Sequence, residues 1–177
     1  MSEPPSRLLL FTSTTGYQTQ QFRDAAEHLG VEVVLATDRC HVLDDPWRDQ
    51  AVAVKFDNLA PEALTELAGR GPFDGVVALG DRTTELAAAA ARVLGLRYSP
   101  VEAVRVARSK KLSKECWLAA GVRTARPVTG RFPSVVKPLS ESASRGVIRA
   151  NNLEEQRDAE LRVRKMLGDP DAELVVE

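Results

Sequence analysis

The chain has 177 residues, 44% of them hydrophobic, enough for one sizeable core or for a domain and part of another. Its 24 Lys and Arg against 25 Asp and Glu leave a formal charge of −1, and only 5% of residues are aromatic; this excludes the basic surface of a general nucleic-acid or membrane-surface binder and argues against a stacking platform for single strands. Two cysteines make no disulfide framework and fit a reducing cytoplasm, the polar MSEPPSR start lacks a signal-peptide core, and the apolar run behind it is too short to span a bilayer.

Arg7 to Thr14 (RLLLFTST) is an apolar run of strand length without polar alternation, as a strand buried on both faces requires. After the polar turn Thr14-Thr15-Gly16, the spacing predicts a helix from Tyr17 to Leu29 with Phe22, Ala25, Ala26 and Leu29 on one face, ended by Gly30. Val31 to Thr37 is the second strand, and the resulting βαβ unit calls for parallel strands and a right-handed crossover. Asp38 to Arg48 reads as a polar loop; its Cys40-His41 has no second Cys/His pair at ligand spacing, so no metal site is expected. Ala51 to Phe56 reads as a shorter third strand, and Pro61 to Gly69 as a helix opened by proline, whose missing N–H costs little there. Phe73 to Leu79 is a fourth buried strand, followed by Gly80-Asp81 and an alanine-rich helix from Glu85 to Leu94 that can approach its sheet closely.

Strands alternating with helices specify an α/β layer with a parallel sheet. TSTTG stands after the first strand, where a nicotinamide-dinucleotide fingerprint would need its glycine pattern. Ligands of such sheets bind at the C-terminal strand edge, which selects Thr14, Thr15, Gly16 and Asp81 as candidate substrate-binding residues; a helix N-cap explains Asp81 equally well.

Tyr98-Ser99-Pro100 marks a boundary, giving expected domains of 1–98 and 99–177. Pro100 to Arg108 reads as a short helix, and Ser109 can cap a second one that places Leu112, Cys116, Trp117 and Ala120 on one face. Lys110 and Lys111 at that helix start oppose the macrodipole, so they are either solvated or await an anion. Phe132 to Val147 (FPSVVKPLSESASRGV) reads as a strand ending in Lys137-Pro138, a serine-rich tip and a second strand from Val147 to Ala150. That is an ordinary surface hairpin or a phosphate site in which an ammonium is backed by hydroxyl and backbone donors. Asn151 or Asn152 caps a helix from Leu153 to Leu167, with Leu153, Gln156, Ala159, Val163, Met166 and Leu167 at helical spacing. Glu173 to Glu177 is a final strand, and an unpaired edge there would invite a homodimer.

The Lys110 helix closing at AAGV, the VVKP strand with its small-residue loop and the VVE strand, in that order, resemble the ATP-grasp superfamily of carboxylate-amine ligases. The resemblance implies a Rossmann-like parallel sheet (the pre-ATP-grasp domain) followed by an incomplete α+β small lobe. It places Lys110 and Lys137 on the phosphates of ATP, Ser140 to Gly146 in a lid (Ser142, Ser144 and Gly146 among its cofactor-binding residues), and Glu177 at the adenine amino group. It further implies a small carboxylate activated as an acyl phosphate, an amine as its acceptor, and magnesium held by ligands beyond this chain. Of such a ligase the chain would be the N-terminal part, inactive alone. A different class remains open, a non-catalytic Rossmann-like binding or assembly module.

Overall fold

The computed structural model describes residues 5–13, 18–38, 51–56, 59–126, 130–139 and 141–177. They form two compact units, Met1–Val104 and Arg105–Glu177.

The first unit runs β1 (Arg7–Thr12), α1 (Thr19–His28), β2 (Glu32–Thr37), β3 (Val52–Ala53), α2 (Pro61–Arg70), β4 (Gly75–Ala78) and α3 (Asp81–Leu94), followed by the first half of α4 (Val101–Arg108). Its sheet is parallel throughout, in the order β3-β2-β1-β4, with Leu9 opposite Val34 on one side and Val76 on the other. This is the α/β layer that the alternation of strands and helices requires. Leu9 and Phe11 join Val52, Leu67, Leu86, Ala87, Ala90 and Ala91 in one core, while Leu10 and Leu35 on the alternate pleat are buried as well. Both faces of the sheet are therefore covered, and the first strand reads as an unbroken apolar run for that reason. The alanines of α3 serve two sides: Ala87, Ala90 and Ala91 face the sheet core, and Ala88 packs with Val101 and Val104.

Two expectations differ here. Of the predicted apolar face of α1 only Ala26 is buried; Phe22 is exposed, and Leu29 lies beyond the last helical residue, where Gly30 at φ +67° turns the chain back. Asp81 is not the cap of α3. Gly80 occupies that position, and Asp81 is an exposed residue of the first turn, where its charge suits the helix dipole.

The second unit holds the end of α4, then α5 (Lys110–Ala119), β5 (Ser134–Pro138), β6 (Ile148–Ala150), α6 (Leu153–Leu167) and β7 (Leu174–Val176). Its antiparallel sheet has the order β6-β5-β7, with Val136 opposite both Ile148 and Val176. These three residues and Leu174 pack with Ala159, Val163, Met166 and Leu167 of α6. Strand alternation then turns Val135, Lys137, Val175 and Glu177 to the opposite face. The start of α6 is doubly capped: Asn152 Oδ1 accepts the Glu155 N–H at 2.9 Å, and Glu155 Oε2 accepts the Asn151 N–H at 2.8 Å. Among the described residues no helix is long and apolar enough to cross a membrane.

Candidate functional site

Helix α5 reaches the end of the second sheet through Lys111 and Lys114, which pair with Glu173 and Glu177. Ser109 caps it, accepting the Leu112 N–H, and the Ser113 hydroxyl donates to the Val106 carbonyl at 2.7 Å. These bonds set the rotation of the helix, and the expected apolar face is not the buried one. Leu112, Cys116, Trp117 and Ala120 are all exposed, whereas Ser113 and Lys114 are buried. The side turned inward is the one that meets a carboxylate.

That carboxylate is Glu177. Lys114 Nζ meets its Oε2 and Lys137 Nζ meets its Oε1, so one carboxylate is held between two ammonium groups. The side chains of Lys114, Lys137 and Glu177 are 9%, 20% and 13% exposed. The Glu177 backbone is fixed too, donating to Val135 O at 3.1 Å and accepting the Val135 N–H at 2.7 Å. Burial pushes the Lys114 ammonium below its ordinary pKa, with the positive charge of Lys137 adding to the shift. Burial does the same to Lys137, with Lys110 as the second cause. Two ammonium groups thus share one carboxylate, and Lys110 is near enough to act on Lys137, an arrangement that an anionic ligand would relieve.

Lys110 reaches a different partner. Its N–H donates to Leu139 O at 3.1 Å, and its ammonium donates to the carbonyls of Leu139 and Glu141, tying the start of α5 to the entry of the serine-rich loop. Lys111 pairs with Glu173 at 2.6 Å, which supplies a protein counter-charge at a helix start otherwise adverse to lysine. In the loop itself Ser142 and Ser144 are exposed, and Ala143 and Ser144 both have positive φ, with Arg145 N–H closing the turn onto Ser142 O at 3.0 Å. The Glu141 carboxylate is paired with Arg145 at 3.3 Å, so it need not repel an anion nearby. Gly146, at φ +71°, sits so close to α6 that a Cβ there would lie 2.7 Å from Met166 Cε. A cleft of about 260 Å³ runs beside the cluster, lined by Lys111, Lys114, Leu118, Leu139, Glu173 and Val175 among others.

The structure thus brings Lys137 and Glu177 into contact, sets Lys110 at the base of the loop, and adds Lys114, which the sequence reading passed over. Its position four residues after Lys110, on the same side of one helix, was the available signal. Thr14, Thr15, Gly16, Ser140, Cys40 and His41 lie outside the described residues. Among the described residues no group of three or more His, Cys, Asp or Glu could hold a metal ion.

Residues 23–97 match the model of the ATP-grasp N-terminal domain. The chain is 30% identical over 150 residues to the ATP-grasp enzyme fsqD of Aspergillus fumigatus, an alignment covering 74% of this chain and 26% of that protein. It superposes on the L-amino acid ligase of Bacillus licheniformis with a TM-score of 0.70 at 21% identity, over 99% of this chain and 44% of the ligase. The carboxyaminoimidazole ribonucleotide synthase of Aspergillus clavatus, whose crystals contain ATP, gives 0.67 at 19% identity, over 98% and 47%. The chain therefore spans about a quarter of the length of the curated relative and less than half of each of these two structures. With a matched N-terminal domain, a related enzyme and a shared fold, the chain belongs to the ATP-grasp superfamily and corresponds to the N-terminal portion of its members.

Proposed function

We propose that this chain supplies the nucleotide-binding side of an ATP-dependent carboxylate-amine ligase, a reaction that activates a small carboxylate as an acyl phosphate before an amine displaces the phosphate. The observation that carries the proposal is that Lys114 and Lys137 share one carboxylate, Glu177, with Lys110 near enough to act on Lys137. Such an excess of positive charge costs energy in a protein without a ligand and is repaid by a polyphosphate.

In this reading Lys137 meets the phosphates from the strand. Lys110 exchanges the carbonyls of Leu139 and Glu141 for phosphate oxygens, a charge-assisted bond replacing neutral acceptors. That exchange frees the loop entry, and Ser142, Ser144 and the backbone around Gly146 close over the nucleotide as donors. Glu177 accepts from the adenine amino group. The first unit serves the acid or amine substrate, for which the sequence offers Thr14, Thr15, Gly16 and Asp81.

The test is calorimetric titration of the chain with ATP in magnesium buffer, beside Lys137→Ala. Saturable binding that weakens at least tenfold in the variant is expected, since charge-assisted hydrogen bonds contribute about 1.5–3 kcal/mol each. Absence of binding by the unsubstituted chain, or equal binding by the variant, would overturn the assignment.

A further inference from the structure

We infer that Lys114 is a positioning residue that makes the nucleotide site select bases carrying an exocyclic amino group, by gripping the Glu177 carboxylate on the side opposite Lys137. The inference rests on the reading above that Glu177 faces the base.

The backbone of Glu177 cannot slide, because Val135 bonds both its N–H and its C=O. What freedom remains belongs to the side chain, and the two lysines remove it by taking one oxygen each. Beyond each other, Lys114 Nζ and Glu177 Oε2 have no hydrogen-bond partner and both are buried, so this oxygen has no competing donor to turn it elsewhere. A carboxylate oxygen offers two acceptor positions; Oε2 is buried beside Lys114, and Oε1 keeps one position beside Lys137 for the ligand. With an ammonium on each oxygen, the carboxylate faces the ligand as an acceptor. An amino group on the base satisfies it; a carbonyl in the same place brings two acceptors together and leaves a buried polar atom unpaired. Without Lys114 the carboxylate would be fixed at one oxygen alone and could swing away or admit water, so a keto base would be tolerated better. Lys114 also comes from α5, whereas Lys137 lies in β5 and Glu177 directly follows its neighbour β7, so the grip ties the helix to the sheet within the second unit.

Titration of the full chain with ATP and with ITP, which differ at that position of the base by amino against carbonyl, tests the inference in the unsubstituted protein, Lys114→Met, Lys114→Arg and Glu177→Gln. The expected result is a preference for ATP that falls roughly tenfold or more in Lys114→Met and is retained in Lys114→Arg, in line with the loss of one charge-assisted contact. A purely structural role would weaken both nucleotides alike, and an unchanged ATP-to-ITP ratio in Lys114→Met would overturn the inference. If Lys114→Met does not fold, Lys114→Gln, which also removes the charge, decides by the same ratio. Glu177→Gln separates this inference from the reading beneath it. A ratio altered in Glu177→Gln but not in the Lys114 variants removes only the role of Lys114. A ratio unaltered in Glu177→Gln, or no ATP binding by the unsubstituted chain, removes both.

Discussion

Glu177→Gln and Lys114→Met break the same ion pair, yet their costs to stability should differ widely. Glu177→Gln leaves Lys114 and Lys137 facing each other with no counter-charge, Lys114 being 9% and Lys137 20% exposed. Uncompensated buried charge costs about 3–5 kcal/mol, and because Lys137 can still reach water the expected loss is about 2–4 kcal/mol. Lys114→Met leaves the Lys137–Glu177 pair in place, removes a like-charged neighbour, and puts an apolar chain of similar length beside Leu118 and Leu139. Its expected effect is within about 1 kcal/mol of zero, of either sign. Urea denaturation at neutral pH, followed by circular dichroism, measures both. The double variant should recover part of the Glu177→Gln loss, since one of two stranded ammonium groups is gone. A Lys114→Met variant as unstable as Glu177→Gln would refute this account of the cluster.

Three further outcomes follow from the same geometry. Gly146→Ala should cost about 2 kcal/mol in urea denaturation, roughly half from positive φ and half from displacing the flexible Met166; a loss under about 0.5 kcal/mol would show that the loop does not pack on α6 this closely. Ala143→Gly, at φ +51°, should be neutral to about 1 kcal/mol stabilising, relief of left-handed strain outweighing the added freedom of the unfolded chain, and a clear destabilisation would contradict that backbone. ATP affinity should fall as pH rises toward 10.5, because burial has lowered the Lys114 and Lys137 pKa values in the free protein and phosphate binding favours their charged forms. In the same alkaline window the unfolded chain holds more protons than the folded one, so these two groups make the fold more stable as pH rises while binding weakens. Calorimetry and denaturation across pH check both signs, and an ATP affinity unchanged from about pH 7 to about pH 10 would exclude the lysines from the site.

Much of the architecture was legible in the residues because it rests on local pattern. The unbroken RLLLFT run required a strand covered on both faces, Pro61 opened a helix, and Ser109 and one of Asn151 and Asn152 offered the caps of two more. Asp81 was less legible, since a carboxylate suits the cap and the first turn alike, and only the backbone at Gly80 distinguishes them. Tertiary structure alone decided the rotation of α5. Periodicity marks an apolar side and assumes that side is buried, but here the buried side carries Ser113 and Lys114, held by Val106 and by a strand far along the chain. No local rule shows that a lysine will find a buried carboxylate, because the partner exists only once β5 and β7 have paired and brought Glu177 beneath the helix. The tie between Lys110 and the loop entry and the close approach of Gly146 to Met166 have the same origin. Sequence determined which elements form and which residues alternate; the pairing of distant elements decided which charges meet.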